Sequence, residues 1–336
     1  MSLKKIAAIV GVSPSTVSRV LNNTSSTCAS PALQAEIWRV ARELNYTPDA
    51  NARRLRAGTR DELPARHISL VLARIRSLED DPFFSELCRC LETELFAAGC
   101  LLDHVIFADD EQIVQELSPT GGAVILGRCS AALLDRIRAV TRSVVGIWRN
   151  PMDFDVDEVV CDGKQAATLA VEYLIGLGHR RIAYIGDCSY ESRYVGYCDT
   201  LIRHRLSIDY RAIIPTDQTE AAGQAAMGRL LAADSCTAVL CANDITAIGA
   251  LQTIRKQRRP ISVIAIDNIE RSAYTDPMLT TVNIPRSDMA HHAVRLLLDR
   301  MDRKHSEFVR VELPCRIIER ESCNPVKPGP LRWAPV

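Results

Sequence analysis

No stretch of this 336-residue sequence approaches the roughly 20 consecutive apolar residues that a helix needs to cross a bilayer. Its opening, MSLKKIAAIVGVSPS, is too charged and too broken for a signal core, so the chain is expected to stay in the cytosol. No C-x-x-C spacing occurs among the 12 cysteines; Cys88 and Cys90 are the nearest pair, and the seven histidines also lack ligand spacing. Disulfide frameworks and zinc clusters are therefore poor readings, and the cysteines are expected to be small buried hydrophobes. Neither G-x-G-x-x-G nor G-x-x-x-x-G-K-[ST] is present, which weakens nucleotide-phosphate readings. No nucleophile–base pair stands out, so no catalytic residue, cofactor or metal is expected.

Net charge is missing too, since 41 Lys and Arg balance 41 Asp and Glu. The balance is uneven along the chain: residues 1–60 hold nine basic and three acidic side chains, +6, which leaves −6 for the remainder. A small basic unit on a larger acidic body is what phosphate binding requires, although a charged face can also be plain solvated surface. With 47% apolar residues, a chain of this length builds two or three packed units.

Two helical patterns stand close together at the start, Leu3 to Val10 and Pro14 to Leu21, broken at Gly11. Ala7, Gly11 and Val17 sit where a helix-turn-helix needs a small facing residue, a turn residue tolerating positive φ, and an apolar plug. Ser13 can cap the second helix, and Pro14 is acceptable at its first position. Ser30 and Pro31 repeat the device before a third stripe of Leu33, Ile37, Val40, Ala41 and Leu44. With Val17, Val20 and Leu21 inward, the second helix turns Ser15, Thr16, Ser18, Arg19 and Asn22 outward, groups suited to base edges and phosphates. Residues 49–58, DANARRLRAG, form a helical pattern too short to stand alone, or else a basic linker.

From His67 onward, apolar runs such as HISLVLA, GGAVILG, SVVGIW, RIAYIG, TAVLCA and ISVIAID alternate with amphipathic helical patterns. Continuous apolar strands separated by helices imply parallel sheets covered on both faces, with ligands at the carboxyl ends of strands. Arg193, Asn243 and Asp267 fall at strand-end loops, where a planar fork, an amide and a carboxylate can hold sugar hydroxyls. The alternative for Asn243 and Asp267 is that they brace loops or cap helices, and Asp244 is the expected cap. Phe83 or Phe84 can wall a sugar ring or join the core, and Trp148 stands on a strand end near the expected cleft.

The runs G-V-S-P-S-T-V-S-R-V-L-N-N and A-R-E-L-N-Y-T-P-D-A-N-A-R-R-L resemble the head of the lactose/galactose repressor (LacI/GalR) family. D-D-P-F-F, G-L-G-H-R-R-I-A-Y-I-G-D, E-S-R-Y-V-G-Y, C-A-N-D-I-T-A-I-G-A-L and D-P-M-L-T-T-V-N-I-P extend the resemblance over nearly the whole chain. It implies an all-α helix-turn-helix head over 1–48, a hinge helix over 49–60, and an α/β periplasmic-binding-protein-like body over 61–330. That body has two doubly wound parallel-sheet subdomains with crossovers near 160, 284 and 315. By the resemblance, Pro14 and Ser15 select the operator, and Ser13, Thr16, Ser18, Arg19, Asn22, Tyr46 and Asn51 join them as DNA contacts. Pro14 offers no hydrogen bond, which suits an apolar contact to a thymine methyl. The hinge implied inserts Leu55 between base steps in the minor groove beside Arg53, Arg54 and Arg56; Asp49 departs from the family's usual Asn.

The effector candidates are Arg193, Asn243 and Asp267, each supported by the resemblance, together with Phe83 and Trp148 from the reading of the residues. R-S-L-E-D-D-P-F-F is similar to the galactoside-responsive branch, yet TDQTEAAG around Gln218 lacks the indole that related galactoside sensors offer. A sugar or glycoside is the expected ligand class, ahead of a purine or nucleoside. The proline-rich ending NPVKPGPLRWAPV has no leucine heptads, so a homodimer on a palindromic, double-stranded operator is expected, with no membrane partner. The function implied is repression of sugar-utilisation genes, relieved by ligand. A ligand-binding protein without a DNA role, opposed by the basic head, and an enzyme, opposed by the missing catalytic set, are the rival classes.

Overall fold

The computed structural model describes residues 3–13, 16–17, 30, 33, 37, 40, 66–75, 77–78, 81–108, 117, 119, 121–152, 154–189 and 191–326. They fall into two compact units, Met1–Pro64 and Ala65–Val336.

In the first unit, helix α1 (Leu3–Val10) leads into Gly11, whose φ of +73° only glycine adopts without strain. Val12 N–H closes the turn on Ala7 O at 3.0 Å. Ser13 Oγ then accepts from Thr16 N–H at 3.1 Å, satisfying a donor at the start of the next helical turn. Ile6, Ala7, Val17, Ile37 and Val40 are buried together, with Val10, Val12 and Leu33 around them.

The second unit opens with strand β1 (Arg66–Leu72). Helix α2 (Pro82–Ala97), strand β2 (Cys100–Phe107), strand β3 (Gly122–Leu126) and helix α3 (Ala131–Arg138) follow. Strands β4 (Ser143–Trp148) and β5 (Asp157–Val160) complete this stretch. The chain continues through α4 (Gly163–Gly176), β6 (Ile182–Gly186), α5 (Ser192–Arg203), β7 (Ile213–Pro215) and α6 (Glu220–Ala232). Then come β8 (Ala238–Cys241), α7 (Asp244–Gln257), β9 (Ser262–Asp267) and β10 (Thr280–Asn283). Helix α8 (Arg286–Met301) and strands β11 (Arg310–Glu312) and β12 (Arg316–Ile318) close the fold.

Two six-stranded sheets result, ordered β2-β1-β3-β4-β5-β11 and β7-β6-β8-β9-β10-β12. Every neighbour pair is parallel except the antiparallel β10–β12 edge. Each sheet makes one subdomain, and the chain passes between them after β5, after β10 and after β11. The central strands are buried on both faces, which is why they read as unbroken apolar runs. One apolar cluster joins the α2/α8 face of the first sheet to the α4/α5 face of the second. Separate clusters fill the α3 side of the first sheet and the α6/α7 side of the second.

Helices α6 and α7 meet so closely that a Cβ on Gly223 would lie 2.1 Å from Thr246 O, which explains glycine there. The last crossing segments dock on a buried charge. Asp157, fully buried on β5, is held by Arg300 Nε at 2.8 Å, His305 Nε2 at 2.9 Å and Val309 N–H at 2.8 Å.

Candidate functional site

In doubly wound sheets ligands gather at the carboxyl ends of the strands, and here the segments after β4 and at the end of β9 meet between the subdomains through Arg149 and Asp267. From the first subdomain come Phe83, in the first turn of α2, and Arg149 and Asn150, directly after β4. Asp81 sets Phe83 in place by accepting hydrogen bonds from Phe83 N–H at 3.0 Å and Phe84 N–H at 3.4 Å. From the second subdomain come Arg193 at the start of α5, Asn243 before α7, and Asp267 at the end of β9. Arg149 Nη2 reaches Asp267 Oδ1 at 2.9 Å across the cleft, while its guanidinium lies 4.2 Å from the Phe83 ring centroid. Arg286, the first residue of α8, pairs with Glu86 at 2.9 Å and donates to the backbone oxygens of Asp267 and Asn268.

Asp267 and Asn268 have φ of +134° and +55°, strained values for residues with side chains, and Arg286 holds both carbonyls in that arrangement. Buried polar atoms without hydrogen-bond partners occur on Arg149, Asn150 and Asp267 of this site, besides Trp148 in the core and Thr246 on α7. Among the described residues they are Trp148 Nε1, Arg149 Nε, Asn150 Oδ1, Thr246 Oγ1 and Asp267 Oδ1. The Arg149–Asp267 contact is thus within ion-pair distance without hydrogen-bond alignment. Buried polar groups are ordinarily paired, and leaving them unpaired is costly in a folded core.

Arg193 is 1% exposed, and its fork is already engaged. Nε and Nη2 donate to the two carboxylate oxygens of Glu191, each at 2.9 Å, while Nη2 also reaches Gln218 Oε1 at 3.1 Å and Nη1 reaches Ala242 O. Burial alone would raise the Glu191 pKa, but the charge and hydrogen bonds of Arg193 overturn that and hold it at about 2. Burial pushes the carboxyls of Asp244 and Asp267 the opposite way, well above the ordinary aspartate value, with the charge of Asp267 adding to the rise at Asp244 and that of Asp81 to the rise at Asp267. Asp244 accepts from Ile269 N–H at 2.9 Å and from the Thr281 hydroxyl at 2.6 Å.

The expected helix cap at Asp244 belongs instead to Asn243, whose Oδ1 accepts from Thr246 N–H at 3.0 Å and whose Nδ2 donates to Gln218 O at 3.3 Å. Phe83, Arg193 and Asp267 are brought together at the cleft. Trp148 is not brought to them: its ring folds across Gly146 into the apolar cluster with Val71, Ile125 and Leu134, 1% exposed. Trp148, expected near the cleft as an effector contact, thus occupies a core position. Ser13 and Thr16 sit in the cap of the head unit, their hydroxyls 2.8 Å apart. Pro14, Ser15, Ser18, Arg19, Asn22, Tyr46, Asn51, Arg53 and Leu55 lie outside the described residues. Sequence reasoning missed Glu191, Arg149, Asn150, Gln218 and Arg286; for Arg149 and Asn150 the available signal was their place directly after SVVGIW.

A concavity of about 490 Å³ opens beside α2 and the β10–α8 crossover, lined by Glu86, Arg89, Thr93, Glu270, Arg286 and Asp288 among others. It does not include Arg193, Asn243 or Asp267. No helix among the described residues is long and apolar enough to cross a membrane.

Residues 2–49 match the model for bacterial regulatory proteins of the lacI family, and residues 171–323 match that for a periplasmic binding protein-like domain. The HTH-type transcriptional repressor CytR of Escherichia coli (strain K12) is 31% identical over 342 residues, covering 96% of each chain. The HTH-type transcriptional repressor PurR of Vibrio atlanticus (strain LGP32) is 29% identical over 340 residues, covering 96% of this chain and 98% of that one. The cellobiose complex of the transcriptional regulator CelR superposes with a TM-score of 0.68 at 27% identity, covering 96% of this chain and 100% of that one. The lac repressor dimer bound to operator and the anti-inducer ONPF shares the fold, with a TM-score of 0.64, 22% identity, and coverage of 96% and 98%.

Proposed function

The chain belongs to the LacI family of DNA-binding transcriptional repressors, and from that premise we propose that a small sugar or glycoside, bound in the cleft, releases it from a palindromic operator. It is a regulator and not an enzyme, as its repressor relatives are. The observation that carries the ligand reading is the Arg149–Asp267 contact, which joins the subdomains across a set of orphaned polar atoms. A ligand that supplies partners to those atoms changes the relative stability of the open and closed cleft, and only such differential binding can shift an equilibrium. The regulated step is then folding of the 49–60 segment, with Leu55 as the minor-groove wedge, in a homodimer matching the two-fold operator. Pro14, Ser15, Thr16, Ser18, Arg19 and Asn22 read the major groove in this scheme.

Cellobiose and ribose appear with regulators of the same architecture, which supports a hydroxyl-rich ligand here. The test is titration of labelled operator candidates from the protein's own promoter region, first with salt and then with neutral sugars and glycosides. Salt-sensitive binding relieved by one compound is expected. Saturating operator must weaken that compound's binding by the same factor, because coupling between two sites is reciprocal. Unchanged ligand affinity on operator would refute the coupling.

A further inference from the structure

Four arginines converge on the cleft from different elements: Arg74 after β1, Arg149 after β4, Arg193 at the start of α5 and Arg286 at the start of α8. Two are spoken for by their own chain, Arg193 by the two-pronged Glu191 and Arg286 by Glu86 and two backbone oxygens. Arg149 is in a different position. Its Nε is buried without an acceptor, its Nη2 meets Asp267 without hydrogen-bond alignment, and its guanidinium carbon lies over the Phe83 ring, 4.2 Å from the centroid. A planar guanidinium held on a ring with its donor edge unsatisfied matches a two-oxygen anion better than it matches a single hydroxyl. Arg74 stands near enough to Arg149 and Arg193 that, after burial, their charges depress its pKa; its own carboxylate neighbour, Asp187, is 3.9 Å away.

We propose that the ligand of the cleft carries an anionic group, a phosphate or a carboxylate, that docks on the Arg149 fork with Arg74 as a second cation. This rests on the reading of the cleft as the effector site. Asp267, 2.9 Å from Arg149 Nη2, competes with such an anion for the fork, and burial, which raises its pKa to about 6 against the charges of Arg149 and Arg193, eases that competition in mild acid. Asn150 Oδ1, buried without a partner, is an acceptor for a hydroxyl on the same molecule.

The experiment is isothermal titration of the full chain with matched series: ribose and ribose 5-phosphate, galactose and galactose 6-phosphate, galactose and galacturonate, with inorganic phosphate alone as a control. The phosphate and uronate arms distinguish the two anion types. At least one anionic member is expected to bind about tenfold or more tightly than its neutral parent. That preference is expected to vanish in Arg149→Gln and to return in part in Arg149→Lys, which restores the charge without the fork. If Arg149→Gln does not fold, Arg74→Gln must reduce the same preference. Neutral parents binding as tightly as their anionic forms overturn this proposal and leave the small-molecule reading standing. So does a preference that survives in Arg149→Gln. If no compound of either kind binds or alters operator affinity, this proposal and the reading beneath it both fail.

Discussion

Replacing Glu191 by Gln keeps the shape of the side chain and removes its charge, leaving the 1%-exposed guanidinium of Arg193 with only neutral acceptors. A carboxyl held at about 2 against an ordinary 4.5 corresponds to about 3 kcal/mol of native-state stabilisation at neutral pH. Stripping one partner from a buried pair independently costs about 3–5 kcal/mol, so the two routes agree. Because the folded pKa is depressed, this contribution is complete above about 4.5 and fades as pH falls toward about 2. Urea unfolding of the full chain, followed through the body's transition, should therefore show Glu191→Gln weaker by about 3 kcal/mol at pH 7, with the deficit shrinking in acid. In heat the same loss lowers the midpoint by about 6–12 °C. A double change, Glu191→Leu with Arg193→Met, should regain much of the stability, because no buried charge is left unmatched. A Glu191→Gln protein within about 0.5 kcal/mol of the parent at pH 7, or an equal deficit at pH 7 and pH 2, would refute the assignment of Glu191 as the counter-charge.

Asp267→Asn addresses the opposite sign. A carboxyl whose folded pKa is raised keeps a proton that the unfolded chain releases, so stability falls as pH rises from about 4 toward neutrality. The gap between urea midpoints at pH 5 and pH 8 should narrow in Asp267→Asn, and an unchanged gap would show that Asp267 does not titrate there. Gly223→Ala forces a methyl against the Thr246 backbone oxygen and should cost about 1–3 kcal/mol in thermal unfolding; no loss would mean that α6 and α7 separate freely. Leu55→Ala should weaken operator binding by about an order of magnitude while titration shows ligand affinity intact. Loss of both would assign Leu55 to folding instead of the groove.

Local spacing made the head legible. Ala7, Gly11 and Val17 fix a small contact, a positive-φ turn and a plug within one short stretch, and all three occupy those places. The strands were equally plain as apolar runs, because a strand covered on both faces has nowhere to put a polar residue. The same property hid the fate of Trp148: in a strand buried almost throughout, alternation does not say which face is the site and which is the core. The Glu191–Arg193 pair was hidden for another reason. Residues two apart do not face each other on a helix, yet Glu191 is the extended residue before α5, and from there its side chain folds back onto the fork. Arg149 and Asp267 belong to different sheets, and only the tertiary fold brings them together.

The three crossings have a consequence for how the protein is made. While the ribosome is still translating the second sheet, β5 is a bare sheet edge, and the fully buried Asp157 has none of the partners that α8 and the segment after it will bring. An unpaired parallel edge beside a naked carboxylate is a poor folding unit and an invitation to pair with another chain. The first half to leave the ribosome is thus among the last to be finished. Release from the ribosome before about residue 310 should leave the nascent first sheet dependent on chaperones, however well its early strands have formed.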